Sequence, residues 1–149
     1  MDIDPFGGLP PWQTPPQIPE EEKARTLRPV AVARALYQSM IYEENKAGRL
    51  DLGVNDGRNG LLYLWALIQH VNVKSCRTFV SDTTVAEHFG FESRNHGFKQ
   101  ARELAEAQGV IRVHGKKGRA WEVSLTVPTR LKDEYPELWD CTISPTNRP

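Results

Sequence analysis

An excess of one sign of charge is missing from this chain: 19 lysines and arginines face 19 aspartates and glutamates. Net charge therefore points to no nucleic acid or membrane surface as a partner. Cysteine is scarce as well. Cys76 and Cys141 stand far apart and in no CxxC pattern, which excludes a secreted scaffold stapled by several disulfides and leaves one disulfide open. The four histidines (His70, His88, His96, His114) are scattered, without HExxH or Cys/His spacing. No metal and no cofactor is expected. Long apolar runs are missing too. The longest, LLYLWALI at 61–68, is far short of the ~20 residues of a membrane span. The N-terminus is acidic and proline-rich, without the basic start and apolar core of a signal peptide. These absences predict a cytoplasmic protein with no membrane partner.

What is present divides the 149 residues into four stretches. Residues 1–22 hold six of the eleven prolines and read as an extended, flexible arm. Phe6 and Trp12 within it suit docking, either on the chain's own surface or on a protein partner. Residues 23–57 are expected to form an N-terminal helix and a loop. The helix runs from Val30 to Lys46 after Pro29, closes at Gly48, and buries Ala33, Tyr37, Met40 and Ile41. The Asp, Asn and Gly crowded into RLDLGVNDGRNG predict a loop there. A second helix follows, Leu61 to Val71, with Asn59 as its cap and Trp65 as its largest buried side chain.

RTFV (77–80) predicts a short strand. SDTTVAEHFG then starts with capping chemistry at Ser81 or Asp82, turns Val85, Ala86 and Phe89 inward, and ends at Gly90. A third helix is expected from about Ser93 to Gln108, with Phe98, Ala101, Leu104 and Ala105 inward and His96, Lys99, Gln100 and Glu103 outward. Period-two alternation on both sides of GKKG predicts a β-hairpin over 110–126, tipped by Lys116 and Lys117. Residues 128–149 form a C-terminal extension, in which Leu131, Tyr135, Leu138 and Trp139 should dock on the body.

Glycines beside lysines also raise the possibility of a phosphate-binding loop, and the spacing excludes it. GVIRVHGKK has five residues between Gly109 and Gly115 where a Walker A loop has four. Lys117 stands where Ser or Thr should bind magnesium, and a strand follows instead of a helix. No GxSxG elbow and no GxGxxG is present, and Asp82, Glu87 and Glu92 are spaced as caps and surface groups. The expectation is that the protein is not an enzyme.

The order helix, strand, helix, turn, helix, hairpin is carried by VSDTTVAEHFGFESRNHGFKQARELAEAQGVIRVHGKKGRAWEVSL. Val85, Ala86 and Phe89 precede the turn glycine Gly90; Ser93-Arg94, ELAEAQGVIRV and GRAWEV follow. Over residues 58–127 the chain resembles winged helix-turn-helix DNA-binding domains. One departure stands out: Phe98, in the place of the residue that anchors the recognition helix, lies about two positions farther from the turn glycine than usual. Gly97 also sits inside the helix. The resemblance implies an α+β, mostly α fold. It would have a three-helix core and a β-hairpin wing, with an extra N-terminal helix and extended termini. It also implies a regulator of transcription, or of plasmid or phage replication or recombination, that binds double-stranded DNA.

Between Arg94 and Arg119 stand seven basic residues and two acidic ones, Glu103 and Glu106, a local excess suited to phosphates. The recognition helix, 93–108, would bring Ser93, Arg94, Asn95, His96, Lys99, Gln100 and Arg102 to the major groove. The wing would bring Arg112, His114, Lys116, Lys117 and Arg119 to the phosphate backbone or minor groove. A homodimer is compatible with this arrangement. The alternative reading is a winged-helix protein–protein adaptor that does not bind DNA.

Overall fold

The computed structural model describes residues 24–90 and 97–143. Within them the chain is α+β, with five helices and five antiparallel strands. Pro29 lets the first strand, β1 (Ala24–Leu27), turn into helix α1 (Ala31–Lys46). Ala33, Tyr37, Met40 and Ile41 all face the core, as their spacing predicts. Gly48, at φ 77°, closes α1, and the Arg49 amide returns to the Glu44 carbonyl at 3.0 Å, a turn only glycine makes without strain. The Tyr37 hydroxyl donates to the Val110 carbonyl and ties α1 to the start of the hairpin.

The span of helix α2 (Val54–His70) joins two pieces across a kink, and its regular part runs on from residue 58. Asn55, Asp56 and Gly57 are all left-handed and break its first turn. Asn, Asp and Gly tolerate that conformation best, and the Asn45 side-chain amide donates to the Asp56 carbonyl at 2.7 Å. Asn59 thus lies inside the helix and does not cap it. The expected burial of Trp65 is also corrected: Trp65 is 40% exposed, whereas Tyr63 is 1% exposed. The helix is apolar nearly all round, so periodicity alone could not choose the inward face. Gly60 chooses it. A Cβ there would come within 2.5 Å of the Leu52 Cβ, so α2 packs its glycine side tightly against Leu52 and turns Trp65 outward.

Strand β2 (Arg77–Val80) leads into α3 (Asp82–His88). Ser81 caps α3, its hydroxyl accepting from the Thr84 amide at 3.0 Å. Gly90 has φ 75°. Helix α4 is described over Gly97–Ala107 and buries Phe98, Ala101, Arg102 and Ala105. Burying Phe98 completely contributes about 2–3 kcal/mol.

Strands β3 (Ile111–Lys117) and β4 (Ala120–Pro128) form the expected hairpin, but its loop is two residues, Gly118 and Arg119. Gly118 takes φ 61°, which the first position of such a tight loop requires. Lys116 and Lys117 are therefore strand residues, paired with Trp121 and Ala120, and not the tip.

Strand β4 is the centre of the sheet. It pairs with β3 over most of its length, with β2 through residues 121–124 and with β1 through 126–128. A final strand, β5 (Thr142–Ile143), pairs with β1. Residues before 58 and after 127 thus complete the same sheet as the hairpin. A 3-10 turn (Thr129–Leu131) and α5 (Pro136–Asp140) bury Leu131, Leu138 and Trp139, with Tyr135 half-buried. Among the described residues no helix is long and apolar enough to cross a membrane.

Candidate nucleic-acid interface

The sheet β2-β4-β3 has two chemically different faces, set by the alternation of side chains along each strand. Val80, Trp121, Val123 and Leu125 share the inner face with Ile111 and Val113, towards the helices. Arg77, Phe79, Glu122 and Ser124 share the outer face. His114 is the extra residue of a β-bulge between Val113 and Gly115. Its Nε2 lies 2.7 Å from the Ser124 Oγ, and this hydrogen bond holds it on the outer face.

Helix α4 meets the inner face through Arg102. Its guanidinium donates to the Asp82 carboxylate at the start of α3, and its Cζ lies 4.1 Å from the Trp121 ring centroid. Arg102 is only 5% exposed, so the expectation that it contacts DNA needs correction. At 100° per residue position 102 borders the stripe of Phe98, Ala101 and Ala105 on the Phe98 side, whereas Leu104 lies farther from it and is half-buried. Arg102 instead joins α3, α4 and β4, and a cation so buried requires its carboxylate. One turn further on, Glu106 accepts from the Val113 amide at 3.1 Å and clips α4 to β3.

The other basic and polar residues expected at the interface separate into groups. Lys99 and Gln100 are exposed on α4, as is Glu103. Lys99 lies on the ridge of Arg102 and Glu106, the ridge that reaches the hairpin. Lys116 projects on the inner-face side, with its Nζ 5.3 Å from the Trp121 centroid, on the ring that Arg102 also covers. Arg119 is exposed in the two-residue loop. Lys99 and Lys116 are thus solvent-facing groups beside the junction of α4 with the hairpin, while Gln100 and Arg119 are exposed elsewhere on the helix and at the hairpin loop.

Arg112, His114 and Lys117 belong to the outer face. Arg112 sits opposite Ser124. Lys117 lies 5.4 Å from the Phe79 centroid and 3.7 Å from the Glu122 carboxylate. Arg77 donates to the same carboxylate, and this hydrogen bond above all holds the Glu122 carboxyl below its ordinary pKa, with Lys117 adding to the effect. Ser93, Arg94, Asn95 and His96 lie outside the described residues. The sequence reading missed Asp82, Trp121, Phe79 and Glu122, the residues that orient the cations. A signal did exist for one of them, Asp82: Arg102 on an apolar stripe demands a carboxylate, and Asp82 opens the neighbouring helix.

No protein-family model, curated protein or solved structure matches this chain.

Proposed function

We propose that the protein binds double-stranded DNA as a winged helix-turn-helix, acting as a regulator of transcription or of mobile-element replication or recombination. Helix α4 would enter the major groove, with Lys99 and Gln100 towards base edges, while the hairpin follows the phosphate backbone. The observation that carries this reading is the junction of α4 and the hairpin. Arg102 and Trp121 fix the helix against the sheet, leaving Lys99 and Lys116 exposed beside that joint and, among the described residues, in no ion pair with a carboxylate. Helix α2, strand β2, helices α3 and α4 and the hairpin follow one another in the order such a domain requires.

Binding of labelled duplex DNA measured by anisotropy across a salt series tests the proposal. Affinity should fall steeply as salt rises, since each phosphate contact releases counterions. Gln100→Ala should relax sequence preference in a selection from random duplexes while leaving nonspecific affinity nearly unchanged. Absence of binding even at low ionic strength would overturn the proposal and favour the protein–protein adaptor.

A further inference from the structure

A groove of about 510 Å3 runs between α1 and α2, away from the residues assigned to DNA. Gln38, Ser39 and Tyr42 line one wall, and Leu61, Trp65 and Ile68 the other. Tyr42 is 59% and Trp65 40% exposed, and among the described residues no charged side chain lines the groove. Two large aromatic rings, beside polar groups able to donate hydrogen bonds, form a surface suited to a polyproline II segment. Such a segment offers flat proline rings for stacking and unpaired carbonyls as acceptors.

We propose that the occupant is the chain's own N-terminal segment, PFGGLPPWQTPPQIP, residues 5–19. Residues 10–19 hold five prolines, and no charge occurs between Asp4 and Glu20, so segment and groove match in polarity. Proline also lacks the amide that an apolar wall would leave unsatisfied. The reach is sufficient. Trp12 lies twelve residue steps before Ala24, about 37 Å in polyproline II form. The chain from Ala24 to Gln38 crosses β1, a short link and two turns of α1, about 35 Å at full extension. The α1 wall of the groove, at Gln38, cannot lie farther from Ala24 than that path. Attachment in the same chain gives an effective concentration on the order of millimolar, so a weak contact suffices. A second copy is a poorer occupant, because two concave walls do not fill one another.

Indole N–H signals in the NMR spectrum of the full-length protein test this. Each of the four tryptophans is assigned by substitution to phenylalanine. Replacing Pro10, Pro11, Pro15 and Pro16 with serine should move the Trp65 signal outside its linewidth. Trp121 and Trp139, which do not line the groove, should stay in place and report that the fold is intact. The wild-type Trp65 signal should not change with protein concentration. An unmoved Trp65 signal overturns the proposal, as does a change shared equally by Trp121 and Trp139. A wild-type Trp65 signal that moves with concentration also overturns it, in favour of a second copy.

Discussion

The two faces of the hairpin sheet each hold an arginine–carboxylate pair, and the pairs are built in opposite senses. On the inner face the cation is buried: the Arg102 side chain is 6% exposed and that of Asp82 30%. On the outer face the anion is buried: Glu122 is 11% exposed and Arg77 35%. The inner carboxylate is taken up by Arg102, so Lys116 keeps its charge for whatever lies outside. The outer carboxylate faces Arg77 and Lys117 together, so the positive potential there is partly cancelled. Two adjacent lysines, alike in sequence, therefore stand in different fields. A strand turns consecutive side chains to opposite faces, and the environment on each face does the rest.

The sharpest way to break this comparison is to remove each arginine. Arg102→Ala should cost about 3 kcal/mol, because it leaves Asp82 unpaired, uncovers Trp121 and detaches α4 from α3. Arg77→Ala should cost about 1 kcal/mol or less, since Arg77 is partly solvated. Urea unfolding at neutral pH measures both. Equal losses would mean that the inner pair is no more structural than the outer one.

A smaller effect separates the lysines. Lys116→Glu should weaken duplex binding about tenfold and flatten its salt dependence by about one counterion. Lys117→Glu should weaken it about threefold or less, because Glu122 already masks that side. Anisotropy titrations at two salt concentrations read both variants. A larger loss for Lys117 would move the DNA to the outer face and reverse the proposed orientation of the hairpin.

Much of the fold was legible because the signals were local. Pro29 and Gly48 bracket α1, Ser81 caps α3, and alternation across 111–125 gives the hairpin. What could not be read depended on tertiary contacts. β1 and β5 are too short to carry a period: β1 exists because β4 has an edge to fill, and β5 because β1 then presents one. The outward turn of Trp65 follows from the approach of Gly60 to Leu52, a contact 8 residues apart that no helical wheel contains. At the candidate site, sequence located the basic cluster but could not sort it. Sorting needed the bulge at His114, the two-residue loop at Gly118, and the carboxylates from other elements that claim Arg102 and Lys117.

The smallest expected effect is also the most diagnostic of the outer face. Arg77 holds the Glu122 carboxyl below its ordinary value of 4.5. A group with a depressed folded pKa contributes stability that is present above the unfolded pKa and is lost as pH falls through the folded one. Glu122 should thus add to the loss of stability below about pH 4.5. Glu44 behaves in the same sense, its carboxyl lowered chiefly by the hydrogen bond from Arg49, so acid sensitivity of the wild type alone assigns nothing. The difference does. Glu122→Gln should lose less stability than wild type between pH 6 and pH 3, in urea midpoints taken across that range. It should also release Arg77 and Lys117 from their shared partner, so that reversing Lys117 costs the variant more duplex affinity than it costs the wild type. If Glu122→Gln leaves the Lys117→Glu effect unchanged, Glu122 does not mask that lysine, and the difference between the two faces rests on distance to the DNA alone.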